Sequence, residues 1–335
     1  MKAGDDMKKI NIGVIGSGFI VPVFIRQTKA FPQFRLCGIW GRHMEKLEQY
    51  REDFEYLTTD LEEILSDEKI DTIYIALPNA LHYAYAMKAL EHGKNVIVEK
   101  PFTVTVESAR KLISYARKRK LIIYEAIMTL HNPLYCRARD RVRDLGEIKV
   151  IACNFSQYSR RYDRFREGVI LPAFDQRMAG GALYDLGIYN IHFVTGIFGK
   201  PKKVRYFANI TKGVDTSGTL VLDYGDFKAV CINAKDCKSE SYGMVEGDKG
   251  YLRFRGSTSR CCDYIMKFND GKQEHRSVMN DEFVGWRYEL KEFQRIYNSR
   301  DLEKAYAYNK QTLISVDVLE KAMKDAGLNY KEEKI

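Results

Sequence analysis

The chain has 335 residues, and its 54 lysines and arginines against 45 aspartates and glutamates give a formal net charge of +9. This length exceeds the roughly 250–300 residues at which a single core stops growing, and 45% of the residues are hydrophobic, so we expect two packed domains. There is no long apolar run and no apolar segment behind the charged N-terminus, so we expect a cytoplasmic protein without a membrane anchor.

The first 126 residues alternate short apolar runs with amphipathic stretches. The apolar runs predict strands at 10–15, 36–40, 72–77, 95–99 and 121–124. The amphipathic stretches predict helices at 20–30, 44–53, 80–92 and 106–118. Strands that alternate with helices of this length indicate βαβ units, so we assign residues 1–126 to an α/β domain with a parallel sheet.

A different pattern begins after residue 146. Strands are predicted at 148–156, 204–210, 219–224, 227–234, 242–246, 251–255 and 264–268. Several are joined by short turns, which favours antiparallel pairing. Helices are predicted at 132–145, 181–198, 283–298 and 310–325. We therefore assign residues 127–335 to an α+β domain whose helices cover one face of the sheet. No flexible linker separates the domains, so we expect them to share a cleft.

Glycines follow the first predicted strand and open the first helix. Free N–H groups at a helix N-terminus bind the pyrophosphate of a dinucleotide, and glycines let the backbone approach it closely. An ordinary turn would also use glycines, but the position between a strand and a helix favours cofactor binding. The residues predicted to bind here are Gly16, Ser17, Gly18, Phe19 and Ile20.

The end of the second strand bears on the choice of cofactor. An NAD site usually has a carboxylate there for the ribose 2′-hydroxyl, but here Gly41 and Arg42 follow the strand and no carboxylate comes before Glu45. An arginine can pair with the 2′-phosphate of NADP and stack on adenine. We therefore predict NADP(H) over NAD(H). The alternative is that Arg42 is an exposed residue at a helix start.

A lysine follows the strand at 95–99, in the sequence Glu99-Lys100-Pro101. Ligands of open α/β sheets bind beyond the carboxyl ends of the strands, which is where Lys100 is expected. Its ammonium could bind a substrate oxygen or lower the pKa of a neighbouring group. The alternative is a solvated charge at a strand end.

Four segments together resemble the glucose–fructose oxidoreductase / inositol dehydrogenase / rhizopine catabolism family (Gfo/Idh/MocA). They are the loop at 16–18, Leu-Pro-Asn-Ala-Leu-His at 77–82, Glu-Lys-Pro at 99–101, and Gly-Gly-Ala-Leu-Tyr-Asp-Leu-Gly-Ile-Tyr at 180–189. The resemblance implies an N-terminal Rossmann domain and a C-terminal open-faced, mostly antiparallel sheet. It also implies a homodimer or homotetramer and hydride transfer between the cofactor and a sugar, polyol or diol. Further cofactor contacts are implied for Leu77, Pro78, Asn79, His82, Glu99 and Lys100.

Asp185 and Tyr189 are four residues apart and share one face of a helix. Tyr189 stands where inositol dehydrogenase-like members carry histidine, so the chain resembles the branch of glucose–fructose oxidoreductase and of dihydrodiol and xylose dehydrogenases. We predict that Tyr189 is the general acid/base, that Lys100 lowers its pKa and binds the substrate oxygen, and that Asp185 orients substrate or lysine. The alternative for Tyr189 is a packed aromatic side chain.

A basic, aromatic loop, Arg160–Arg177, lies between the second domain's first strand and this helix. Its arginines could hold an acidic or phosphorylated sugar, or it could be a solvated surface loop. The seven cysteines and six histidines show no metal-ligand spacing, so we expect no metal. Charges of both signs are interspersed, so we expect no nucleic-acid partner. The alternative to an enzyme is a non-catalytic NAD(P)-binding sensor on the same fold.

Overall fold

The computed structural model describes residues 9–278 and 284–333. Its first sheet is entirely parallel, with the strand order β3-β2-β1-β4-β5-β6. This is the order of a dinucleotide-binding Rossmann fold, and it confirms the predicted α/β fold. The strands are β1 (Ile10–Ile15), β2 (Phe34–Trp40), β3 (Tyr56–Thr58), β4 (Thr72–Ile75), β5 (Asn95–Glu99) and β6 (Ile123–Ala126).

Helices connect these strands on both faces of the sheet. They are α1 (Val21–Thr28), α2 (Met44–Leu47), α3 (Leu61–Ser66), α4 (His82–Glu91) and α5 (Val106–Lys118). The helix predicted at 44–53 is shorter, because α2 passes into a single 3₁₀ turn at Glu48–Tyr50. The predicted elements lack β3 and α3. β3 has only three residues at the edge of the sheet, and α3 begins at a polar cap, Asp60, whose side chain accepts from the Glu62 N–H.

The second sheet has eight strands in the order β14-β13-β12-β11-β7-β10-β9-β8. All neighbours are antiparallel except β7 and β10, so the predicted mostly antiparallel sheet is confirmed. The strands are β7 (Ile148–Ser156), β8 (Lys203–Thr211), β9 (Val214–Asp223), β10 (Lys228–Ala234), β11 (Tyr242–Gly247), β12 (Gly250–Arg255), β13 (Asp263–Phe268) and β14 (Gln273–Ser277). β14 was not predicted, because its polar residues lack the apolar alternation of a half-buried strand.

The remaining helices are α6 (Pro133–Arg141), α7 (Tyr162–Arg166), α8 (Ile188–Phe198), α9 (Val284–Ser299) and α10 (Leu302–Asp325). A single π-helical turn, Leu183–Gly187, leads into α8. α10 begins eight residues before its predicted start at 310, where Asp301 caps it by accepting from the Lys304 N–H. The predicted start of α9, residue 283, lies outside the described residues.

The C-terminal helices join the two sheets. Leu290 and Phe293 of α9 belong to the same buried cluster as Ile10 and Tyr74 of the first sheet. α8 instead packs in the core of the second sheet through Ile188, Ile191 and similar apolar residues. Residues at the carboxyl ends of β1, β4 and β5 line one cleft together with Gly180, Gly181 and Asp185, which precede α8. In the described part of the chain, no helix combines the length and apolarity needed to cross a bilayer.

Candidate active site

The loop after β1 makes a tight turn that requires glycine. Gly16 has φ of +121°, and its N–H donates to the Trp40 carbonyl at 2.9 Å. A Cβ at Gly16 would lie 2.3 Å from the Ala76 carbonyl oxygen, so any other residue would force the backbone apart. α1 begins after this loop with no side-chain cap at Ile20. An uncapped helix N-terminus behind a glycine turn fits a dinucleotide pyrophosphate.

Most predicted cofactor residues line a single cleft of about 390 Å³. One wall is Phe19, a residue that is 73% exposed. The Arg161 guanidinium lies over its ring, 5.4 Å from the centroid, and also lines the cleft. The predicted residues that line it are Gly18, Phe19, Ile20, Leu77, Pro78, Asn79, Glu99, Lys100 and Asp185.

Besides Gly16, four predicted cofactor residues do not line this cleft. The Ser17 carbonyl accepts a hydrogen bond from the Tyr50 hydroxyl at 3.3 Å. Gly41 lies next to Ser17, since a Cβ added at Gly41 would be 3.5 Å from Ser17 Oγ. Arg42 is exposed next to Gly41. His82 is completely buried, and its two ring nitrogens lie 2.9 Å from the carbonyl oxygens of Leu77 and Pro101. The expectation that His82 contacts the cofactor is therefore corrected: it ties together the loops that follow β4 and β5.

Lys100 projects from the end of β5 toward the π-helical turn before α8. The Lys100–Pro101 peptide bond is cis. Lys100 Nζ donates to the Asp185 carbonyl at 2.8 Å and to Asp185 Oδ1 at 2.9 Å. It also lies 5.1 Å from the ring centroid of Tyr189. The structure therefore brings the three predicted catalytic residues together: Lys100 and Asp185 line the cleft, and Tyr189 lies next to Lys100.

A second lysine completes this group. Lys235 directly follows β10, and its Nζ lies 2.8 Å from Asp185 Oδ2 and donates to the Ala173 carbonyl at 2.9 Å. Only 3% of the Lys235 side chain is exposed. The sequence prediction missed this residue, because strand pairing rather than local spacing brings Lys235 to Asp185. The available signal was a lysine at the end of an apolar strand, the same signal that drew attention to Lys100.

Comparisons with known proteins agree with this geometry. Residues 10–126 match the model described as "Oxidoreductase family, NAD-binding Rossmann fold", and residues 135–253 match the "GFO/IDH/MocA C-terminal domain". The uncharacterized oxidoreductase YgjR of Escherichia coli (strain K12) is 31% identical over 72% of this chain and 75% of its own length. The chain belongs to the Gfo/Idh/MocA family. It is an oxidoreductase that uses a nicotinamide cofactor.

Two further members of the Gfo/Idh/MocA fold resemble the chain over nearly its whole length. The scyllo-inositol 2-dehydrogenase (NADP(+)) IolU of Bacillus subtilis (strain 168) is 28% identical over 96% of this chain and 98% of its own. The structure of KijD10, a 3-ketoreductase from Actinomadura kijaniata, in complex with NADP and TDP-benzene, superposes with a TM-score of 0.82 at 20% identity. That alignment covers 95% of this chain and 98% of KijD10.

The electrostatics of this Gfo/Idh/MocA site favour charged Asp185 and Lys100. Burial raises the pKa of Asp185. The nearby groups of Lys100 and Lys235 lower it by more, so the net pKa lies well below its usual value. Burial lowers the pKa of Lys100, but the Asp185 carboxylate more than compensates and the net pKa is raised. The Asp185 carboxylate is therefore held between the side-chain nitrogens of Lys100 and Lys235.

Tyr189 differs from the prediction in its electrostatics. Burial raises its pKa; Lys100 lowers it, but Glu99 and Asp185 act in the same direction as burial, and the net pKa lies above the usual value. The expectation that Lys100 brings this pKa down toward neutrality is corrected: the phenol is protonated at neutral pH. Its hydroxyl forms no hydrogen bond with any residue that the structure describes, so its proton is available to a ligand.

The loop Arg160–Arg177 divides between the cleft and solvent. Arg161 reaches the cleft, as described above, whereas Arg160, Arg164 and Arg166 are exposed. Arg177 pairs with Asp175, its guanidinium 2.9 Å from Oδ2. Among the described residues, no group of three or more His, Cys, Asp or Glu side chains could hold a metal ion.

Proposed function

We propose that this enzyme transfers a hydride between NADP(H) and a hydroxyl-bearing carbon of a sugar, polyol or diol. The observation that carries the proposal is the Lys100–Asp185–Lys235 group beside Tyr189, at the end of a cleft that begins at the phosphate loop. A nicotinamide at that cleft supplies or accepts the hydride. Two similar proteins support the same chemistry: IolU is named as an NADP(+)-dependent dehydrogenase, and KijD10 is a 3-ketoreductase whose structure contains NADP.

Lys100 is proposed to bind the reacting oxygen of the substrate. An ammonium has three N–H donors, and two of those of Lys100 are used by Asp185. The third is available to a carbonyl or hydroxyl oxygen in the cleft. In this account Lys235 is a positioning residue, because its contact with Asp185 Oδ2 keeps the carboxylate turned so that Oδ1 meets Lys100.

Tyr189 is proposed to move the proton. In reduction, its hydroxyl donates a proton to the carbonyl oxygen as a hydride reaches the carbonyl carbon, which gives an alcohol and a phenolate. In oxidation, the phenolate takes the hydroxyl proton as the hydride leaves. Because its pKa is raised, Tyr189 is protonated at neutral pH, which is the form that can donate a proton in the reduction.

The preference for NADP(H) over NAD(H) rests on Arg42. Its side chain is exposed beyond β2, where a 2′-phosphate would lie in a Rossmann site, and no carboxylate comes between the end of β2 and Glu45. The matching family model is described only as NAD-binding, so the family does not decide between the two cofactors.

A substrate screen tests the proposed function against the sensor alternative. NADPH fluorescence is followed while aldoses, lactones, polyols, sugar phosphates and dicarbonyls are added in turn. Turnover of a hydroxyl or carbonyl compound supports the enzyme. Tight NADPH binding without turnover of any of them favours a non-catalytic sensor.

We also propose that the open face of the second sheet joins a second copy of the chain in a homodimer or homotetramer. The support is a set of exposed apolar residues on that face: Phe207 of β8, which is 67% exposed, with Val150 of β7 and Ile232 of β10. Exposed apolar patches on a sheet are typical of interfaces. Light scattering of the wild type and of Phe207→Asp tests this proposal: it predicts an oligomer that the charge dissociates, and a monomeric wild type would contradict it.

A further inference from the structure

A second pocket, larger than the cofactor cleft, adjoins the site on the side of Tyr189. It has a volume of about 910 Å³, and Ile20 lines both it and the cofactor cleft. Phe155, another lining residue, has its ring centroid 5.9 Å from that of Tyr189. A substrate with its reacting carbon at Tyr189 would therefore extend into this pocket. The volume is near the upper end of the ~300–1,000 Å³ usual for small-molecule sites, so there is room for more than the reacting group.

The charged lining of this pocket is mainly cationic. Lys238, Arg255 and Arg260 line it, and none of the three forms an ion pair with a residue that the structure describes. The one carboxylate among the lining residues, Asp263, already faces the His275 ring, with Nε2 3.2 Å from Oδ1. Cations that have no partner in a concave site leave positive potential there.

Arg255 is the last residue of β12, and Arg260 lies in the segment that connects β12 to β13. This segment is held to α8, because its Thr258 hydroxyl donates to the side chain of Asn190, the residue after Tyr189, at 2.7 Å. The Thr258 carbonyl accepts from Thr129, and the Arg260 carbonyl accepts from Asn132 at 2.6 Å. These contacts fix the backbone beside Arg255 and Arg260 relative to Tyr189. The position of this wall of the pocket is therefore set by hydrogen bonds to other elements.

Lys238 is connected to the site from the other side. It belongs to the segment between β10 and β11, which begins at Lys235, the partner of Asp185. Asn154 holds this segment by donating to Ser239 Oγ and to the Glu240 carbonyl, each at 2.7 Å. Cations from two anchored segments thus converge on one pocket.

We propose that this pocket binds an anionic substituent of the substrate, a phosphate or a carboxylate, through Lys238, Arg255 and Arg260. That the bound anion belongs to the substrate rests on the proposed function, whereas the anion site itself does not. Arginine pairs bidentately with both kinds of anion. The hydroxyls of Ser257 and Ser259, which also line the pocket, lie 2.8 Å apart and bond to each other, which leaves one of them as a further neutral donor. The substrate class is therefore an acidic or phosphorylated sugar derivative rather than a neutral monosaccharide.

The binding test uses pyrophosphate as the probe and calorimetry as the readout. The variant is the double substitution Arg255→Gln, Arg260→Gln. The control is Arg253→Gln, an exposed arginine on the same strand that does not line the pocket. Any binding at the phosphate loop of the first domain is common to all three proteins and cancels. We expect the double variant to bind at least about tenfold more weakly than the wild type and the control. Equal affinity of the three proteins, or no binding by the wild type, would overturn the proposal.

A kinetic test separates this proposal from the proposed function. Matched substrates are compared: a neutral sugar, its phosphate and its uronic acid. The double variant is expected to raise KM for the charged member of a pair about tenfold or more, with kcat and the neutral sugar little affected. The phosphate and uronate arms show which anion is used. If the wild type binds pyrophosphate at this pocket but turns over no substrate, the proposed function fails and the anion site stands. If the wild type turns over neutral sugars but binds no pyrophosphate, and KM is unchanged in the double variant, the anion site is wrong and the proposed function stands.

Discussion

Lys235 and Asp185 lie 2.8 Å apart, Nζ to Oδ2, while the other oxygen of the same carboxylate meets Lys100 at 2.9 Å. One carboxylate therefore links the end of β5 in the first domain to the end of β10 in the second. Because the side chain of Asp185 is 40% exposed, it also faces the cleft. The orientation of Lys100 toward a ligand depends on this shared contact.

Removing the second lysine should impair the reaction without removing a group that touches substrate. We expect Lys235→Met to lower kcat about tenfold and to leave NADPH affinity unchanged, since Asp185 can then turn away from Lys100. Lys235→Arg should restore part of the rate, which a general loss of stability would not explain. The control is Lys228→Met at the other end of β10, where the lysine is exposed and pairs with Asp223. A normal rate for Lys235→Met would show that Lys235 does not position Asp185 for the reaction.

Strand pairing also explains which parts of the site the sequence predicts. Lys100, Asp185 and Tyr189 stand in short motifs, and their roles are predicted from local spacing and resemblance. Lys235 and Arg161 stand in no such motif. They reach the cleft only because β10 ends beside the π-helical turn and because the loop before α7 folds back onto Phe19.

The same distinction holds for the fold. Apolar alternation and helical periodicity predict β1, β5, β7 and α5 at their observed bounds. Short or polar elements such as β3 and β14 carry too little of either signal, and tertiary pairing alone creates them. The raised pKa of Tyr189 also lies beyond sequence reasoning, because it depends on how deeply the phenol is buried and on carboxylates from other segments.

The phosphate loop provides a prediction about cofactor affinity. Gly16→Ala would place a Cβ 2.3 Å from a backbone oxygen at a φ of +121°, so we expect NADPH affinity to fall at least about tenfold and the protein to lose stability. Gly93→Ala is the matched control, since Gly93 also has positive φ, +75°, but no heavy atom lies within 4 Å of its added Cβ. Fluorescence titration with NADPH measures the difference. Equal affinity of the two variants would count against a close approach of cofactor to this loop.

Cofactor preference should depend on one arginine. Arg42→Ala is expected to raise KM for NADPH about tenfold and to leave KM for NADH nearly unchanged, since only NADPH carries the 2′-phosphate. Lys46→Ala, an exposed cation of α2, serves as the control for general electrostatic effects. If both cofactors respond equally to Arg42→Ala, the arginine does not read the 2′-phosphate.

The pH dependence of the two directions should differ. Since the pKa of Tyr189 is raised, chiefly by burial, the phenol stays protonated from pH 6 to above pH 9. Reduction uses the protonated form and should be insensitive to pH in this range. Oxidation needs the phenolate, so kcat/KM should rise about tenfold per pH unit. Steady-state assays in both directions measure this, and an oxidation rate that is flat between pH 6 and 9 would contradict the assignment.

The assignment of Tyr189 as the residue that transfers the proton is tested most directly by the turnover of Tyr189→Phe, which keeps the ring and removes the hydroxyl group. We expect a kcat at least roughly 10²-fold below wild type, with NADPH affinity unchanged. Tyr184→Phe is the matched control. Tyr184 is a buried tyrosine of the same segment whose hydroxyl donates to the Val104 carbonyl, and its loss should affect stability more than rate. A kcat for Tyr189→Phe within a few-fold of wild type would contradict the account.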